Sequence, residues 1–208
     1  MICVFDANFM LMLFDPRARV PQRAGQPPVA NAKERIESLV VDLSKGGKTK
    51  IIVPTPALAE FLLMAPDSCS DYITEIKRRS VFEIVGFDES ACIELVEFSQ
   101  VLGKPTRKFS KDPNETKAKI KYDRQIIAIS KASRATTIYT TDDGVADLAR
   151  SLGIEAIDLG DLAPPPARQV MLFAPTPPPP TIAAEGTEVS PQSPAQLAPL
   201  STAPKDEK

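Results

Sequence analysis

The chain opens with Ile2-Cys3-Val4-Phe5, an unbroken apolar run of strand formers that stops at Asp6-Ala7-Asn8. A short run with no polar alternation reads as a parallel strand buried on both faces, and such strands need helices on either side to cover them. Ligands of open α/β sheets gather at the carboxyl ends of the strands, which is where Asp6 falls. Two roles suit it there: capping the helix pattern of Asn8-Phe9-Met10-Leu11, or chemistry in the cleft.

The pattern recurs along the chain. Strands are expected over Lys50 to Val53, Val81 to Phe87, Thr136 to Tyr139 and Ile154 to Ile157. Between them lie helix patterns: Asn8 to Phe14, Asn31 up to Gly46-Gly47, a helix with Pro56 near its first turn, Asp67 to Ser80, Asp88 to about Leu102, a helix opened by Asp123, and Val145 to Leu152. Alternating strand and helix implies a mostly parallel sheet with helices on both faces, a three-layer αβα arrangement. Asp142, after Tyr139-Thr140-Thr141, repeats the first motif: a strand ending in carboxylates. Asp6 and Asp142 are therefore expected on one sheet edge. Glu60, the lone acid of an apolar stretch, and Asp123 are expected near helix starts beside it. Four acids in one cleft raise each other's pKa unless a cation offsets them.

Composition narrows the chemistry. The 208 residues are 43% hydrophobic, enough for one α/β domain of about residues 1–162 plus something extra. The chain has no histidine, which excludes Ser-His-Asp and Cys-His catalysis and His-ligated zinc. Three scattered cysteines (Cys3, Cys69, Cys92) cannot make a four-thiolate zinc site within one chain; Cys3 and Cys92 read as buried, reduced thiols of a cytoplasmic protein. There is no 18-residue apolar stretch and no basic start of a signal peptide, so no membrane partner is expected. Carboxylates with an oxygen-ligated metal, Mg2+ or Mn2+, remain.

With a net charge of -2, any nucleic-acid surface must be local. The segment Gly103 to Tyr122 supplies one candidate, with Lys104, Arg107, Lys108, Lys111, Lys117, Lys119 and Lys121 against Asp112 and Glu115. Its place just before Asp123 favours phosphate contact over a solvated loop. The proline-rich loop Asp15 to Ala30 carries Arg17, Arg19 and Arg23, which read as solvated rather than bound to RNA. Twelve of the 21 prolines fall in Pro164 to Lys208, so residues 163–208 are expected to be a disordered, partly polyproline-II tail, interrupted by the apolar island Val170-Met171-Leu172-Phe173. A plain spacer is the simpler role for it; docking of the island, or binding of a proline-reading module, are alternatives.

Four stretches together resemble the PIN-domain nucleases, especially the ribonucleases that act as toxins in VapBC-type toxin–antitoxin systems. They are the strand into Asp6-Ala7-Asn8, the Pro-Ala-Leu-Ala-Glu60-Phe-Leu helix, the Asp123-Arg-Gln-Ile-Ile-Ala helix, and the Ile-Tyr-Thr140-Thr-Asp142 strand end. They occur in the family's order, across Met1 to Leu162. The resemblance implies a PIN-like fold and a metal-dependent endoribonuclease. The acidic set it implies is Asp6, Glu60, Asp123 and Asp142, holding Mg2+ or Mn2+, with Asn8 and Thr140 as accessory groups. Asp143 is either a further acid or the N-cap of the next helix. An RNA substrate, an antitoxin partner and a homodimer are implied in the same way. Ala7 departs from a frequent Thr or Ser, and the loop, the basic segment and the tail enlarge the chain beyond a minimal toxin. Two other functions stay open: a haloacid-dehalogenase-like phosphatase, which would need an acid where Asn8 stands, and a non-catalytic PIN-like protein that binds through its tail.

Overall fold

The computed structural model describes residues 1–22, 27–45, 47–103 and 116–165, all within the compact unit Met1–Leu172. The expected basic residues Lys104, Arg107, Lys108 and Lys111, the tail from residue 166 and its island Val170 to Phe173 lie outside the described residues.

The fold is the α/β class expected. Five strands, β1 (Ile2–Phe5), β2 (Lys50–Pro54), β3 (Phe82–Val85), β4 (Thr137–Tyr139) and β5 (Glu155–Ile157), form one sheet in the order β3-β2-β1-β4-β5. Every pairing is parallel. Cys3, Val4 and Phe5 are consecutive and each is 0% exposed, so both faces of the central strand are covered. This is why the run lacks polar alternation. Phe5 anchors the core, with its ring edge-on to Phe9, Phe82 and Tyr139 at centroid distances of 5.6, 6.0 and 5.3 Å.

Seven described helices surround the sheet: α1 (Ala7–Phe14), α2 (Ala32–Ser44), α3 (Thr55–Met64), α4 (Cys69–Arg78), α5 (Glu89–Leu102), α6 (Lys117–Ala132) and α7 (Asp143–Ser151). Pro56 lies in the first turn of α3, where its missing N–H leaves no bond unmade. Asp88 caps α5 by accepting from the Ala91 N–H. Chain order reverses at β1: the chain steps outward through β2 and β3, then returns to the other side of β1 for β4 and β5. In an open α/β sheet this reversal opens a crevice at the carboxyl ends of the two strands beside it, here β1 and β4.

Several expectations are corrected. Asp123 does not open its helix: α6 starts at Lys117, capped by Thr116, whose hydroxyl accepts from the Lys119 N–H. A Thr cap at the end of a polar stretch outcompetes a carboxylate seven positions on. Asp123 therefore lies in the second turn of α6 rather than its first, while Glu60 lies in the second turn of α3, near its start as expected. Asp143 is not the N-cap of α7; Asp142 is, through the Gly144 and Val145 N–H groups. Cys92 is exposed, because Ala91 and Phe98 form the inward face of α5 and the next residue turns outward. Cys3 is buried as expected.

Phe5→Ala removes the ring on which three others rest. A loss of about 3–5 kcal/mol is expected for a fully buried Phe, seen as a lowered midpoint in urea with unchanged slope.

Candidate functional site

Strand register builds the site. Phe5 pairs with Tyr139, and the Asp6 N–H donates to the Tyr139 carbonyl at 3.1 Å. Asp6 and Thr140 are the next residues along adjacent parallel strands, and their side chains meet: the Thr140 hydroxyl donates to Asp6 Oδ2 at 2.7 Å. The same hydroxyl oxygen accepts the Asp142 N–H at 3.0 Å. Thr140 thus ties the two acids that flank the sheet reversal. It is 2% exposed, and Asp6 is 4% exposed.

Both acids also cap helices. Asp6 Oδ1 accepts from the Ala7 N–H at 2.7 Å, and Asp142 Oδ1 accepts from Gly144 and Val145 at 2.8 and 3.1 Å. The capping and cleft roles posed for Asp6 are therefore not exclusive. A cap takes one carboxylate oxygen and fixes the direction of the other. Asp142 Oδ2 faces Lys119, whose ammonium lies 2.7 Å away.

Helices bring the other two acids. Asp123 is buried on α6, and its Oδ2 lies 3.2 Å from the Lys119 ammonium one turn earlier on the same helix. Lys119 therefore bridges Asp123 and Asp142. Glu60, on α3, is an exposed residue. Its carboxyl nevertheless shares the electrostatics of the cluster. Its pKa is raised by partial desolvation, then by the Asp6 charge and to a lesser degree by Asp142, against the pull of Lys119.

The remaining protonation equilibria show the same crowding. Burial raises Asp6 above the usual carboxylate range, against the hydrogen bonds from Thr140 and Ala7, and Asp142 adds to the rise. Burial pushes Asp123 up to about 7, reinforced by Asp142 and Asp6 and opposed by Lys119. Asp142 goes the other way. Burial works to raise it, but the Lys119 hydrogen bond and charge and the two capping N–H groups together hold it below the ordinary value.

Four acids from four distant segments thus interact at one sheet edge. Among the accessory groups, Thr140 is central. Asn8 donates its side-chain N–H to Thr141 Oγ1 at 2.9 Å, across the same β1–β4 boundary. Asp143 is exposed in the first turn of α7. Sequence reasoning missed Lys119 as a site residue, having grouped it with the cations expected on phosphates. Its spacing of four residues before Asp123 on a helix was the available signal.

The donor chemistry fits a hard divalent ion, since carboxylate and hydroxyl oxygens converge and no sulfur or imidazole does. The arrangement is that of a cluster whose charge is partly offset from within. Among the described residues, no three acidic or thiol side chains are grouped closely enough to hold a metal ion, and an ammonium joins two of the acids.

Comparison with known proteins gives limited likeness. No family model matches the chain, and no curated protein matches it. Among solved structures similar to it, VapBC2 from Rickettsia felis bound to a promoter DNA fragment aligns with a TM-score of 0.49 and 16% identity, covering 76% of this chain and 98% of that one. VapC20 of Mycobacterium tuberculosis, a sarcin-ricin-loop-cleaving toxin, aligns with a TM-score of 0.42 and 12% identity over 70% of this chain and 94% of that one.

The crowding has a measurable sign. The folded, metal-free protein retains a proton on Asp123 that the unfolded chain releases between its ordinary 3.8 and about 7, so stability falls as pH rises through that window. Glu37, raised by burial, acts in the same direction away from the cluster. Glu75, held at about 2 chiefly by the Arg78 hydrogen bond, titrates below the window. In EDTA, the melting temperature is expected to drop between about pH 5 and about pH 7.5, and Asp123→Asn to shrink that drop. In a separate test, Thr140→Val should lower stability by about 1–3 kcal/mol in chemical denaturation, because it strands the buried Asp6 carboxylate and the Asp142 N–H.

Proposed function

We propose that this protein is a metal-dependent endoribonuclease of PIN-like type, with Asp6, Glu60, Asp123 and Asp142 as its metal-binding acids. One observation carries the reading: acids from the end of β1, α3, α6 and the β4–α7 junction share one electrostatic environment at the reversal point of a parallel sheet, where Asp6, Glu60 and Asp123 are each raised in part by a neighbouring acid. Carboxylates gathered against their own repulsion are a site that a divalent cation would stabilise in the working state. The family resemblance of the four motifs supports the same assignment.

The residues divide the work. Asp6 and Asp142 are held by caps and by Thr140, so their free lone pairs are fixed before any ligand arrives. Asp123 and Glu60 reach the same edge from helices and complete an oxygen-only donor set for Mg2+ or Mn2+. A divalent ion bound there supplies a water acidic enough to attack at neutral pH and offsets charge on the phosphodiester. Thr140 keeps Asp6 and Asp142 in register, and Asn8 braces the turn after β4 through Thr141. Lys104, Arg107, Lys108 and Lys111 are assigned to the RNA backbone by their charge and their position before α6.

The antitoxin partner, the toxin role and a homodimer belong to the same proposal and rest on the sequence resemblance alone. Among the described residues, no helix is long and apolar enough to cross a membrane.

A panel of single-stranded RNAs incubated with Mg2+ or Mn2+ tests the activity. Cleavage is expected, abolished by EDTA, and lowered at least about 100-fold in Asp6→Asn and Asp123→Asn, at or beyond the loss typical of groups that only orient metal ligands. Cutting that survives both substitutions would contradict the assignment. Phosphate release from a small monoester without RNA cleavage would favour the phosphatase reading. No cutting by folded protein would favour a binding role.

A further inference from the structure

Lys119 was expected on phosphates, yet its ammonium is turned inward onto the acids. It lies 2.7 Å from Asp142 Oδ2 and 3.2 Å from Asp123 Oδ2. It also lowers the proton affinity of Asp6 and Glu60, so its charge reaches all four carboxylates. We propose that Lys119 is a resident counter-cation: its ammonium offsets part of the charge of the acidic cluster in the metal-free protein and gives up Asp123 and Asp142 when a divalent cation enters. The inference rests on the metal-site reading above and adds a competitor to it, built into the chain.

Three features support an exchange rather than a permanent ion pair. The first is which oxygens are involved. Asp142 spends Oδ1 on the α7 cap, and Lys119 takes Oδ2. Lysine thus holds an oxygen that the cap leaves over, and releasing it breaks no capping bond. The second is mobility. The Lys119 side chain is 43% exposed, so a strongly hydrated ammonium on a four-carbon stem can move into water without unfolding anything. The third is grouping. With the ammonium between two of the acids, no three acidic side chains among the described residues are drawn together tightly enough for a metal ion. Removal of that charge leaves repulsion that further protonation of the acids or another cation must offset.

The position of Lys119 is itself fixed locally. Its own N–H donates to the Thr116 cap, which sets the first turn of α6. Asp123 follows one turn later on the same face. The helix start therefore delivers cation and acid together.

The test is a thermal-shift titration of the full chain with MnCl2 after EDTA treatment and buffer exchange, comparing wild type, Lys119→Met and Lys119→Arg. In the metal-free state, Lys119→Met should melt below wild type at neutral pH, and Lys119→Arg near it. The Mn2+ concentration giving half of the maximal shift should fall about tenfold in Lys119→Met, as expected when one unit charge a few ångströms from the site is removed, and stay near the wild-type value in Lys119→Arg. If Lys119→Met is unfolded without metal, it should fold on Mn2+ addition; failure to do so overturns the proposal. A wild-type shift with equal or weaker response in Lys119→Met overturns the counter-cation role alone. Unchanged Mn2+ response with weakened RNA binding would make the lysine a backbone contact and overturns it too. No Mn2+ response in wild type or either variant overturns the metal-site reading on which the proposal stands.

Discussion

The Thr140 hydroxyl links the two acids at the carboxyl ends of β1 and β4. It donates to Asp6 and accepts from the Asp142 N–H, and in doing so joins the ends of two parallel strands that the chain reaches 134 residues apart. Without it the two acids would be held by their separate helix caps and the strand pairing, with no side-chain link between them. With it, Asp6 and Asp142 become rigid points, and the acids on α3 and α6 need only come within electrostatic range. The hydroxyl is neutral and so does not cancel the charge it organises. That leaves the cluster short of positive charge, and within the described residues Lys119 bridges two of its members.

Capping and the geometry of the acidic cluster share the same carboxylates. A carboxylate that caps a helix spends one oxygen on backbone N–H groups and has the other oriented by that bond. Asp6 and Asp142 both do this, at the starts of α1 and α7. The fold is stabilised by the interactions that aim its site. The weight of each role depends on protonation: as caps the acids favour the ionised form, and as crowded neighbours they resist it. Asp142, with two N–H donors and a lysine, stays ionised; Asp123, with the lysine and its burial, is pushed to about 7.

The strand at the N-terminus, the α/β class and the convergence of Asp6 and Asp142 were legible because they follow from short-range pattern: apolar runs without alternation, closed by acids. The helix starts were less legible. Asp123 reads as a first-turn residue because the stretch before it is polar, but Thr116 provides a better cap seven positions earlier and the helix absorbs the lysines. Apolar neighbours alone do not place Glu60, which faces water on α3, since one helix presents both faces within four residues. Cys92 was misplaced for the same reason on α5. The direction of Lys119 was beyond sequence reasoning: charge composition marks a basic stretch but not which member turns back onto the acids.

The central claim is that the four acids form one divalent-cation site. Mn2+ binding followed by loss of the free-ion electron paramagnetic resonance signal measures this without any substrate. The account predicts that the wild-type chain takes up Mn2+ at neutral pH, with uptake weakened by acid as Asp123 protonates, and that Asp142→Asn, which keeps the α7 cap through its remaining oxygen, loses that uptake while staying folded. Folded wild-type protein that leaves the Mn2+ signal unchanged, or uptake that is undiminished in Asp142→Asn, would contradict it.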